Sequence, residues 1–227
     1  MKVLFLGNSH TFFNDMPQIF KNICAEKGKD VEVGMLAHPG VTYGWHYKQF
    51  TDLRFALMWG GYDYIVMQQA AHSPCPEKEE TLADGEKIIE LARANGVTPI
   101  QTMPWAEKRD PDHQKGMYDI YNTLSEKFGV KLTVAGNVFE DVFFNYPEID
   151  MYYEDGEHAS PYGSYTIAMA AYAAIFGESV KGLSANSYCT YKPGFVVVND
   201  KNETPFALDP EKAAKLQELV DKYEFGK

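Results

Sequence analysis

Short apolar runs alternate along this chain with segments whose apolar positions recur at helical spacing, and turn residues separate the two. Residues 3–6 form an apolar run that stops at Gly7-Asn8. Residues 17–27 carry Ile19, Phe20, Ile23 and Cys24 on one helical face, and Gly28 ends the segment. Residues 31–36 read as a second strand and 45–59 as a helix closed by Gly60-Gly61. Residues 62–67 form a third strand, apolar enough to be buried on both faces. Thr81 with Asp84 resembles a capping box and opens a helix to Asn95, which Gly96 ends. Residues 97–103 are a fourth strand cut short by Pro104, 114–128 a helix ended by Gly129, and 131–135 a fifth strand. Ser160-Pro161 sets a cap and a first-turn proline before a helix to Phe176, with Gly177 as its stop. Asp209-Pro210 starts a last helix, with Ala213, Leu216, Leu219, Val220 and Tyr223 on one face. Residues 104–113 and 139–153 read as ordered rim loops. Phe195-Val196-Val197-Val198 reads either as an extra strand or as an extended surface segment.

Strict β-α alternation with five strands predicts a flavodoxin-like three-layer α/β/α sandwich around a five-stranded parallel sheet. With no internal repeat or linker, one domain spans residues 1–227. Such sheets place their sites at the carboxyl ends of the strands. The positions to inspect are therefore Gly7-Asn8-Ser9-His10, Ala37-His38-Pro39-Gly40, Gln68-Gln69, Thr102-Met103-Pro104-Trp105 and Gly136-Asn137.

Composition narrows the function classes. A formal net charge of −11 repels phosphate backbones, so no nucleic-acid partner is expected. No apolar run is long enough to span a membrane. The N-terminal apolar run is too short for a signal peptide, which makes a cytoplasmic protein the expectation. Cys24, Cys75 and Cys189 form no metal-ligand pattern, and their odd number fits a reducing compartment. His38, His46, His72 and His113 lack zinc-ligand spacing, so neither metal nor cofactor is expected. Oligomeric state is open.

Two short motifs carry chemistry. Ser9, on a tight strand-to-helix turn, presents a hydroxyl at the sheet edge beside a helix N-terminus, where negative charge is favoured. Alone it is equally well a helix cap. Asp155-Gly156-Glu157-His158 can set a carboxylate against one imidazole nitrogen and leave the other free to take a serine proton. Glu154 and Glu157 read as solvated loop charges, and His10 either faces the pocket or, at least as well, packs or lies at the surface. The tryptophans read as packing, with Trp105 of interest because it follows the fourth strand.

Taken in order, Gly7-Asn8-Ser9-His10-Thr11, Gly40, Gln68-Gln69 and Asp155-Gly156-Glu157-His158-Ala159-Ser160 resemble the blocks of the SGNH (GDSL-like) hydrolases. The resemblance implies Ser9 as nucleophile, with His158 and Asp155 completing a triad. It implies an oxyanion hole from the N–H groups of Ser9 and Gly40 and a side-chain amide. The family's usual G-x-N-D is absent, and a glutamine supplies the same donor on a longer arm. Gln68 is expected in that role, with Gln69 as the alternative. The implied substrate is a small acyl ester, an acetylated carbohydrate being the leading case. Rival readings are a lysophospholipase or thioesterase of the same superfamily, or a non-catalytic flavodoxin-like binding module. The last is disfavoured by the lack of any phosphate-binding glycine motif.

Overall fold

The computed structural model describes residues 1–49, 51–72, 76–185 and 207–226. Five strands form one parallel sheet: β1 (Lys2–Gly7), β2 (Glu32–Ala37), β3 (Tyr64–Met67), β4 (Thr98–Gln101) and β5 (Lys131–Leu132), in the order β2-β1-β3-β4-β5. The expected fold class is what is observed: this is the doubly wound order whose crevice opens where the connections reverse, next to β1 and β3. Alternation along the strands sorts side chains into two cores. Val3, Phe5, Val66 and Ile100 pack against helices α2 (Met16–Glu26), α7 (Ala135–Asn145), α8 (Pro161–Phe176) and α9 (Pro210–Phe225). Leu4, Leu6, Ile65 and Met67 pack against α3 (Tyr43–Lys48), α4 (Asp52–Trp59), α5 (Lys78–Ala94) and α6 (His113–Phe128). A short helix α1 (Ser9–Phe12) follows β1 directly, and a single 3-10 turn, Phe13–Asp15, leads into α2.

Several elements depart from the sequence reading. The helix expected over 45–59 is two helices. Thr42 caps the first by accepting from the Trp45 N–H, and the backbone leaves helical geometry at Gln49. The expected capping box at Thr81 is not one: α5 begins three residues earlier, Thr81 is buried inside it, and the Asp84 carboxylate pairs with Lys87 at 2.7 Å. Strand β5 ends at Leu132, and the region read as the loop after it is helix α7. That helix was hidden by Asp141, a charge on its buried face. The carboxylate is satisfied by Lys222 at 2.8 Å, Tyr223 at 3.0 Å and Asn145 at 2.7 Å, two of them from α9. The segment 195–198 lies outside the described residues.

The joint between α1 and α2 is backbone-strained. Asn14 and Asp15 hold φ of 52° and 58°, the left-handed region that costs an L-residue about 1 kcal/mol or more. Asn14 is wholly buried, and its amide donates to the Ala159 carbonyl and to the Ser164 hydroxyl, each at 2.8 Å. Replacing Asn14 with Ala would leave the Ala159 carbonyl short of a donor and keep the strain. We expect Asn14→Ala to lose about 2–4 kcal/mol of unfolding free energy in urea titration.

Candidate active site

Residues Gly7 to Ser9 turn the chain from strand to helix within one residue. Asn8, with extended backbone, caps α1: its side-chain oxygen accepts from the His10 N–H at 3.1 Å. Its amide donates to the Val41 carbonyl at 3.2 Å, tying the Ser9 turn to the Gly40 loop. Ser9 is thus the first helical residue, not the cap, and its hydroxyl is left for other work. Gly7 tolerates no side chain. A Cβ there would stand 2.2 Å from the Thr11 hydroxyl and 3.2 Å from the Gln68 carbonyl. The Gly7 carbonyl accepts from the His46 ring N–H at 2.7 Å and from the His38 backbone at 3.3 Å.

From the far end of the chain, the loop before α8 brings His158 to this turn. The Ser9 hydroxyl lies 2.8 Å from His158 Nε2, and Asp155 Oδ2 lies 2.7 Å from His158 Nδ1. Since a carboxylate only accepts, Nδ1 carries the proton and Nε2 is free to receive the Ser9 O–H. The other Asp155 oxygen accepts the backbone N–H groups of Glu157 and His158, each at 2.9 Å. Burial of Asp155 opposes its charge, but these two N–H groups and the imidazole outweigh it and hold the carboxyl below its usual range. Gly156, at φ 73°, makes the turn, and its carbonyl is held by the Lys108 N–H at 2.8 Å.

Gly40 sits in the exposed loop after β2 at φ 67°. Among the described residues, neither its N–H nor that of Ser9 donates to a protein acceptor. The two glutamines after β3 part ways. Gln68 continues the face of Val66 and sits against Gly7, and its amide has no partner among the described residues. Gln69 is on the opposite face, where its carbonyl accepts the Tyr43 and Ala70 N–H groups at 2.7 and 3.0 Å. Its NH2 is buried without a partner.

Phe13 and His72 escaped the sequence reading, and His10 and Trp105, whose roles it left open, stand with them. Phe13 and His10 lie against the His158 ring, with centroids 4.0 and 4.6 Å away. His72 meets His10 edge-on at 4.4 Å and donates from Nε2 to the Trp105 carbonyl at 2.8 Å. Trp105 is buried, stacks on Phe139 at 4.5 Å and donates to the Glu157 carbonyl at 2.9 Å. It is a wall behind the site rather than a platform at its rim. No sequence pattern distinguishes these rings from ordinary core. A cavity of about 870 Å³ opens elsewhere, at the β5 edge, lined by Tyr118, Thr133, Asn137 and Lys222. None of the residues around Ser9 lines it, so the site is assigned on the convergence of side chains. The described residues contain no cluster able to hold a metal ion and no helix long and apolar enough to cross a membrane.

No protein-family model matches this sequence, and no curated protein matches it. Solved structures do match. A candidate SGNH hydrolase from Slackia heliotrinireducens shares 23% identity and a TM-score of 0.66, over 77% of this chain and 98% of that one. A DUF4886 family protein from Bacteroides uniformis shares 17% identity and a TM-score of 0.72, over 100% of this chain and 95% of that one. The acetyl xylan esterase AlAXEase shares 15% identity and a TM-score of 0.65, over 78% of this chain and 100% of that one. At these identities the likeness establishes the fold alone, the three-layer α/β/α arrangement shared with these proteins.

Burial holds the pKa values of His10, His46 and His72 below the usual histidine value of 6.5, and for His10 the neighbouring His72 and His158 add to the effect. Each depressed value means that, below pH 6.5, the unfolded chain takes up protons the folded chain refuses. Stability is therefore full above pH 6.5 and falls as pH drops below it. Urea midpoints measured from pH 8 to pH 5 should decline, and His46→Gln should flatten the decline. An equally steep fall in that variant would remove His46 from the effect.

Proposed function

We propose that this protein is a carboxylic ester hydrolase that cleaves small acyl esters through Ser9, His158 and Asp155. The observation that carries the reading is the unbroken chain from the Ser9 hydroxyl through His158 to Asp155, at 2.8 and 2.7 Å, built from segments 149 residues apart. A helix cap or a phosphate loop would not require that convergence.

In this mechanism Ser9 Oγ attacks the acyl carbonyl while His158 Nε2 takes its proton, and Asp155 stabilises the imidazolium. The proton passes to the departing alcohol as the ester C–O bond breaks. Water then attacks the acyl-enzyme and gives a proton to Nε2. The bond between the acyl carbon and Oγ breaks, and Ser9 regains its proton. The developing oxyanion is met by the free N–H groups of Ser9 and Gly40 and by a side-chain amide. Gln68 fits that third role better than Gln69. It stands beside Gly7 with its amide uncommitted, whereas the Gln69 carbonyl is fixed on the N-terminus of α3. Acetyl groups on a carbohydrate are the leading substrate class, a reading supported by the glutamine that stands where the family's usual G-x-N-D would be, as in carbohydrate acetylesterase-like members it resembles, and by the fold shared with an acetyl xylan esterase.

Wild-type protein should label with a fluorophosphonate probe and release acetate from acetylated sugars and p-nitrophenyl acetate, while folded Ser9→Ala does neither. Faster turnover of long acyl chains than of acetate would favour the lysophospholipase reading. Folded wild type that is inert to the probe would favour a binding module.

Gln68→Ala should lower kcat by roughly 100-fold with a near-native melting temperature. Gln69→Ala should instead lower the melting temperature and spare most of kcat. The reverse pattern in steady-state kinetics and thermal melts would move the oxyanion role to Gln69.

A further inference from the structure

The edges of the His158 imidazole are held by Ser9 and Asp155, and its two faces are held by rings. Phe13 stacks on one at 4.0 Å with planes 19° apart, and His10 on the other at 4.6 Å with planes 11° apart. Residues 9, 10 and 13 belong to one stretch of little more than a turn. The segment that carries the nucleophile therefore also carries both faces of a clamp on its base.

The His10 side is backed rigidly. His72 meets its ring at 87° and Trp105 at 75°, with centroids 4.4 and 5.3 Å away. The imidazole of His10 makes no hydrogen bond to any described residue, and its Nδ1 is buried. Burying an unpartnered ring nitrogen costs free energy, and an aliphatic side chain would avoid that cost. The feature an aliphatic group lacks is a flat, polarisable face.

We infer that His10 is a positioning residue which, with Phe13, keeps the His158 ring oriented when its hydrogen bond to Ser9 is gone. This rests on the triad reading above. In the free enzyme two hydrogen bonds fix the ring in its plane. Once Oγ is acylated, Ser9 has no proton to donate, and only Asp155 and the clamp hold Nε2 towards the attacking water. The clamp thus acts chiefly on deacylation.

The test is pre-steady-state hydrolysis of p-nitrophenyl acetate by wild type, His10→Ala, His10→Leu and His10→Phe, with fluorophosphonate labelling as the measure of acylation. We expect His10→Ala and His10→Leu to lose about tenfold in kcat. They should show a p-nitrophenol burst larger than that of wild type, a lower KM, and labelling rates closer to wild type than their kcat values. His10→Phe, which keeps a flat ring, should return kcat close to wild type. If His10→Ala fails to fold, the leucine and phenylalanine variants make the same comparison at similar volume. Wild-type kcat in the aliphatic variants, labelling that falls as far as kcat, or a phenylalanine variant as impaired as the leucine one would each overturn the inference. A wild type inert to the probe would instead overturn the triad reading.

Discussion

The site depends on one buried side chain. Asn14 sits in left-handed geometry at the end of the segment that begins at Ser9, and its amide reaches the carbonyl of Ala159, the residue after His158. Its second bond, to the Ser164 hydroxyl, enters α8, and that hydroxyl in turn bonds the Phe13 carbonyl at 3.2 Å. The strain at Asn14 is tolerated because tertiary contacts repay it, the usual circumstance for backbone held in a sparse region. Through this link the first strand and the last α/β helix are fixed to each other, and serine and histidine meet with no direct chain connection. Each half of the site is local and weakly specified; the contact between them is not.

Strand alternation then decides which residues can share the crevice. Gly7 and Gln68 lie side by side on the face of β1 and β3 that carries α1, and the bare Cα of Gly7 lets the helix close down on it. One residue further on, Gln69 faces the other layer and anchors the start of α3. Two adjacent glutamines thereby do unrelated work, one offering an uncommitted amide and the other building the scaffold that carries the Gly40 loop.

What could be read from the sequence follows from how local each signal is. The parallel sheet and its two helical layers follow from alternation and handedness, and Ser160, Pro161 and Gly177 bracket α8 as their chemistry demands. Ser9, His158 and Asp155 could be singled out because their motifs are compact, and the structure brings the three side chains together. Helix α7 was not, because the charge on its buried face is neutralised by Lys222, remote in sequence. The same holds for His10, for which pocket, packing and surface roles stay open until His72, Trp105 and His158 are seen around it. Residues whose partners lie far along the chain carry no periodic signature.

Helix α8 is apolar on every side, and nearly all of it is buried against α2, α7, α9 and the sheet. Such an element has no wet face on which to fray. Its amides belong to the class that exchanges with solvent only when the whole molecule opens. Ser160 caps this helix, so the loop bearing His158 is moored two residues from one of the most buried parts of the fold. Ser9 is moored likewise to β1, an interior strand of the sheet. The convergence of Ser9 with His158 is therefore anchored from both sides by elements buried in the core.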